Sequence, residues 1–192
     1  MHKAVLHTAP TVEPITVDEA KAHLNVTSST KDTYIQGLIT ASRRQIERYL
    51  NRALITQTWD LYLPNWSDCI KLPYAPLQSV TSITYKNVDG DDTALTIADY
   101  FHVVTSDDPG RLIRKYDVTL PEVEYGNPNA IVIRFVAGYG LAESVPEEIK
   151  HAMKLVLTDL YDQRGTVVIG NIAHKIPGYL TDLVHSYKIY SF

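Results

Sequence analysis

Apolar residues recur with a helical period near both ends of the chain and with a period of two between them. The segment ITVDEAKAHL opens the first helix. Thr16 is a good N-cap and Glu19 stands three residues on, the spacing of a capping box. Asp18 and Glu19 also suit the positive end of the helix dipole. The polar run NVTSSTKD ends this short helix. A second helix is predicted from Thr30 or Asp32 to about Leu50, because Ile35, Leu38, Ile39, Ile46, Tyr49 and Leu50 form a 3.6-period stripe. Arg44, Arg48 and Arg52, each four residues apart, share another face, and Arg43 stands one turn before Glu47. From Ile55 the period changes. Ile55, Trp59, Leu61 and Leu63 alternate with Thr56, Thr58, Asp60 and Tyr62, the pattern of a half-buried strand broken on its apolar face only by Gln57. Trp59 reads as a core anchor where sheet meets helices.

More short strands follow. CIKLP, SVTSITYK, TALTI, YFHVVT, RLIRK and NAIVIRFVAGY carry β-branched or alternating residues, with turn signals at Asp89-Gly90 and Pro109-Gly110. LPEVEYGNPN reads as an irregular loop. Helical periodicity returns in ESVPEEIKHAMKLVLTDLYDQRG. Ser144 or Val145 caps it, Pro146 lies in the first turn, and Gly165 is the expected stop. PGYLTDLVHSYKIY predicts a last short helix. The expected fold is therefore α+β, with N- and C-terminal helices packed together and an inserted antiparallel β domain of six or seven strands, sandwich or barrel-like. The expected boundaries are a helical segment 1–53, a β insertion 54–138 and a helical segment 139–192, the two helical segments forming one layer.

Composition narrows the function classes. The chain has 192 residues, 45% of them apolar, and a net charge of −4, which argues against a generic DNA-coating protein. The single cysteine, Cys69, permits no disulfide within the chain and points to a reducing compartment. The first residues, MHKAVLHTAP, lack the apolar run of a signal peptide, and no apolar stretch is long enough to predict a membrane span.

No catalytic signature stands out. P-loop, GxGxxG, GxSxG and HExxH patterns are all missing. Cys69 reads as a small buried thiol. The seven histidines lack metal-ligand spacing, and Asp89, Asp91 and Asp92 read as a solvated hairpin tip. No enzymatic activity, cofactor or metal is expected. Arg43, Arg44, Arg48 and Arg52 have three readings: a solvated helix side, a contact with another subunit, or a phosphate-binding face.

The order of segments is similar to that of the head–tail connector proteins of tailed bacteriophages, the head-completion or adaptor family, in the long form with a β insertion. PITVDEAKAHLNV, DTYIQGLITASRRQIERYLNRALITQTW, LPYAPLQSVTSITYKNVDG, DPGRL, IVIRFVAGYG and VPEEIKHAMKLVLTDLYDQRG carry the resemblance, from Pro14 to about Gly165. The closing YLTDLVHSYKI looks like the family's terminal segment, with Tyr187-Lys188 where a Tyr-Arg pair is common. Asn51 stands where the family often ends its helix with Gly, and Asn also tolerates the left-handed conformation. On this reading Asn51→Gly is expected to be neutral or slightly stabilising.

The resemblance implies a non-enzymatic virion protein of the head–tail junction, present in the bacterial host cytoplasm during assembly. It would form a ring of roughly twelve copies under the portal protein, with monomers in isolation. It would extend the DNA channel without sequence-specific binding and dock a neck or tail completion protein. Arg43, Arg44, Arg48, Arg52, Tyr187 and Lys188 are the candidate subunit or portal contacts, and Thr16, Glu19, Asn51 and Trp59 the structural positions. The alternative is a DNA-binding packaging factor using the Arg43/Arg44/Arg48/Arg52 face.

Overall fold

The computed structural model describes residues 3–106, 108–162 and 182–190. The chain divides into two compact units. One comprises Met1–Pro10 with Thr56–Tyr139, the other Thr11–Ile55 with Gly140–Phe192.

The second unit is helical. Its α1 (Val17–His23) starts with the capping box its sequence predicts. The Thr16 hydroxyl accepts from the Glu19 amide (3.1 Å), and the Glu19 carboxylate accepts from the Thr16 amide (2.7 Å). That reciprocal bond holds the Glu19 carboxyl below its usual range. α2 (Asp32–Leu50) follows a 3₁₀ turn at Ser29–Lys31, and α4 (Glu147–Asp162) packs against it. Ile35, Ile39, Ile46 and Leu50 of α2 and Ile149, Met153 and Leu157 of α4 are all fully enclosed. Each contributes about 1.5–3 kcal/mol by leaving water, which is what holds two amphipathic helices together. Val184, in the segment 182–190, is fully enclosed as well. The expected stop at Gly165 and the start of the last helix at 177–181 lie outside the described residues.

The first unit is all antiparallel apart from the one-turn α3 (Ile97–Tyr100). Five strands, β1 (Lys3–Thr8), β2 (Gln57–Leu63), β8 (Ile131–Ala137), β4 (Leu77–Lys86) and β5 (Asp92–Leu95), pair in that order. Three more, β3 (Cys69–Lys71), β7 (Arg111–Arg114) and β6 (Phe101–Val104), form a second sheet. Both sheets are open, so the expected α+β fold with antiparallel sheets is observed, and it does not close into a barrel. Leu61, Ile133 and Ile83 lie opposite one another across β2, β8 and β4. Along β8 the buried residues Ile131, Ile133, Phe135 and Ala137 strictly alternate with half-buried ones, as a strand with one face in the core requires. Two register shifts in β4, at Leu77/Ser79 and Val80/Ser82, set the residues of β4 from Leu77 to Tyr85 against the shorter stretch of β8 from Ile131 to Ala137, each shift inserting one extra residue as a β-bulge does. Trp66 ties the sheets together. Its ring lies 5.8 Å from Tyr85 of β4 and 6.0 Å from Phe101 of β6, and its Nε1 donates to Pro121 O at 2.8 Å.

Three expectations change. The segment 1–53 does not begin helical: Lys3–Thr8 is an edge strand paired with β2. It was hidden because five of its six residues are exposed, so no buried face imprints an alternation. Cys69 is exposed on the short strand β3 and not a buried thiol. Trp59 is half-buried, stacked on Tyr74 with ring centroids 4.0 Å apart, and its Nε1 is enclosed without a hydrogen-bond partner among the described residues. The fully enclosed aromatic residue of that sheet is Phe135, its β8 neighbour.

Candidate functional site

Of the residues singled out by sequence, Asn51, Arg52, Tyr187 and Lys188 gather around the C-terminal end of α2, where the chain leaves the helical unit, whereas Thr16 and Glu19 cap α1 and Trp59 lies on β2. Asn51 closes the helix in the left-handed conformation (φ 56°, ψ 37°), which an Asn side chain accepts at low cost. The amide of Arg52 then reaches back to the Glu47 carbonyl (3.2 Å), and the Leu54 amide donates to Glu47 Oε1 (3.0 Å). Glu47 thus caps the chain on both sides of the corner.

The four arginines do not form one face. Arg43 is 5% exposed. Its Nε donates to Glu13 and its Nη1 to Glu47, each at 2.7 Å. Glu13 lies thirty positions upstream, so no local spacing signals it. Arg52 is buried too, and its Nε donates to the carbonyl of Tyr187. Arg44 and Arg48 are exposed, one turn apart, and make no ion pair or hydrogen bond among the described residues.

Tyr187 and Lys188 belong to the same corner. The Ile189 amide donates to Leu50 O (2.9 Å), and Asn51 Nδ2 donates to Ile189 O (2.8 Å). Lys188 Nζ stands 4.2 Å from the centre of the Tyr49 ring, within cation–π range. The Tyr187 hydroxyl donates to Glu148 (3.2 Å). Burial pushes the Tyr187 phenol up, and the Glu148 carboxylate adds to the shift. Residues 187–189 therefore lie along residues 49–52, pinned by backbone bonds and by side chains from both segments. This explains why Arg52 and Tyr187 both carried a signal: one holds the other. Glu13, Tyr49 and Ile189 were missed, because only the fold brings them to this corner.

A second charged group sits on the five-stranded sheet. Arg134 of β8 grips Asp60 of β2 with two bonds, 2.8 and 2.9 Å, and His7 of β1 lies 3.4 Å from the same carboxylate. The Arg134 bonds hold the Asp60 carboxyl below the usual range, against the opposing effect of burial. Strand register made this cluster: Asp60 and Arg134 are direct partners across β2 and β8. Among the described residues no group of His, Cys, Asp and Glu could hold a metal ion, and no helix is long and apolar enough to cross a membrane. Two open depressions dent the β unit, one lined by Asp68, Arg114, Tyr116 and Asp117, the other by Lys71, Asp108 and Arg111. In the first, Arg114 is tied to Asp68 at 2.8 Å. Tyr116 and Tyr125 project fully exposed from the loop between β7 and β8.

Comparison with known proteins adds the following. The sequence model of a family described as head completion protein matches residues 13–168. No curated protein matches the sequence. Among solved structures, a chain from the neck of an empty gene transfer agent particle, computed with C6 symmetry, superposes with a TM-score of 0.79 at 21% identity, covering 99% of this chain and 97% of that one. A chain from the virion of a native gene transfer agent particle gives 0.78 at 22% identity, over 98% and 96% of the two chains. A third, from the neck of a native particle computed with C12 symmetry, gives 0.72 at 22% identity, over 100% and 97%. At these identities the likeness is one of fold.

Proposed function

The chain belongs to the head completion protein family, and on that premise we propose that it is a structural neck protein of a phage-like particle. In this role it is a head–tail adaptor that forms a ring under the portal, extends the DNA channel and docks the next neck or tail protein. The observation that carries the reading is the family match across residues 13–168, which takes in both the helical unit and the β unit. The fold shared with chains of gene transfer agent necks over nearly the full length supports it. A closed ring needs two different surface patches on each protomer, and two units of unlike architecture offer them. The particle is a phage, a prophage product or a gene transfer agent, and the protein passes through the host cytoplasm before it joins the virion.

The packaging-factor alternative required Arg43, Arg44, Arg48 and Arg52 to present one cationic face. Arg43 and Arg52 are spent inside the chain, so that face does not exist and only Arg44 and Arg48 remain outward. A net charge of −4 suits a channel wall past which DNA slides.

The test is incorporation. Purified chain is added to portal-bearing, DNA-filled capsids that lack it, and the particles are analysed by native mass spectrometry and electron microscopy. The expected result is a ring of copies at the portal vertex and retention of DNA. A chain that never joins such particles refutes the proposal. A monomer in isolation does not, since assembly on a template is part of it.

A further inference from the structure

Seven arginines are described, and five are held: Arg43 by Glu13 and Glu47, Arg52 by Tyr187, Arg114 by Asp68, Arg134 by Asp60, and Arg111 by a contact of its own. Arg44 and Arg48 are the exceptions. They are exposed and point from one face of α2 a single turn apart, where like charges repel. The same face continues through Ala41, exposed, and Gly37, whose surroundings are open to at least 4 Å from where a side chain would begin. A partner can therefore approach the α2 backbone closely and reach the two guanidinium groups.

Exposed carboxylates of opposite sign exist on the chain itself. The entry to α4 exposes Leu141 at 60%, Glu143, which has no partner among the described residues, and Glu147, whose side chain is 80% exposed and, among the described residues, bonded only to Lys150 of its own helix. We infer that the Arg44–Arg48 face of α2 docks on the Glu143–Glu147 segment of a neighbouring copy, as the heterologous contact that closes the ring. The inference rests on the ring reading above and names its two surfaces. Arginine forks pair with carboxylates in two-bond geometry, and two unlike patches on one protomer are what a head-to-tail ring requires. A nucleic-acid partner is disfavoured, because two free guanidinium groups on an acidic protein provide little counterion release.

The experiment compares wild type, R44E/R48E, E143K/E147K and the fourfold reversal, each checked for wild-type melting, in the incorporation assay at low salt. Each two-site variant should lower the number of copies per particle at least about tenfold, because like charges would face each other across the contact. The fourfold reversal should restore incorporation. If a reversed chain melts early, R44Q/R48Q and E143Q/E147Q replace it, with a loss of several-fold expected. Variants that assemble like wild type, or a fourfold reversal that fails to rescue, overturn the inference while the neck assignment stands. Wild type that does not join particles brings down the neck assignment first. R44E/R48E particles that assemble normally yet leak DNA would mean the arginines face DNA, which also overturns the inference.

Discussion

Arg43→Met is the sharpest test of the reassignment of the arginines. The side chain is 6% exposed, and its two short bonds, both 2.7 Å, go to carboxylates with 15% and 14% of their side-chain surface accessible. Removing one partner of a buried ion pair costs about 3–5 kcal/mol, because the remaining charge is left without compensation. Here both carboxylates keep a narrow route to water, so the expected loss is about 2–4 kcal/mol. Methionine keeps most of the apolar stem, so little of the loss comes from packing. For a chain of this length that corresponds to a fall in Tm on the order of 5–15 °C. Thermal and urea denaturation followed by far-UV circular dichroism, which reports the helices, measure it. Arg44→Met, one residue away and exposed, should change stability by no more than about 0.5 kcal/mol. A double variant adding Glu13→Gln should lose less than the sum of the two single losses, since the residues share one network. A loss below about 1 kcal/mol for Arg43→Met, or an equal loss for Arg44→Met, would refute the argument that Arg43 is structural.

Three further outcomes follow from named contacts. Asn51→Gly should be close to neutral: glycine enters the left-handed region more easily, but the 2.8 Å bond from Nδ2 to Ile189 is lost, at about 0.5–1.5 kcal/mol. Asn51→Ala loses the bond and adds backbone strain, so it should cost about 1–3 kcal/mol; equal melting curves for the two variants would count against the assigned conformation. Gly110→Ala places a methyl group on the Leu77 side chain and should cost about 1–3 kcal/mol by overpacking, read as a shift in the urea midpoint. Asp60 has its pKa depressed in the folded chain, so its stabilisation is complete above the unfolded value of about 3.9 and disappears as pH falls through the lower folded value. A plot of Tm against pH should therefore fall more steeply below about pH 4 for wild type than for Asp60→Asn, and parallel curves would contradict the depression.

What local sequence determined, it determined through short-range chemistry. The capping box at Thr16 and Glu19 spans three residues, and the left-handed stop at Asn51 is a property of one. The helical stripes of α2 and α4 and the change of period after Ile55 are readable because helix and strand impose their own spacing on buried side chains. The hairpin at Asp89-Gly90 and the irregular loop before β8 were equally local. Tertiary structure decided the rest, because it depended on pairs far apart in the chain. A charged residue on a helix has no sequence mark that tells a solvated arginine from one meeting a carboxylate thirty positions away, so Arg43 and Arg44 read alike until Glu13 was in place. An edge strand with both faces wet carries no alternation, so β1 became visible only through its pairing with β2. Asp60 and Arg134 lie 74 residues apart and met only once β2 and β8 had chosen a register. Tyr187 and Lys188 were picked out as a terminal motif, but their work, lying along Tyr49 to Arg52, exists only where the chain's end returns to the end of α2.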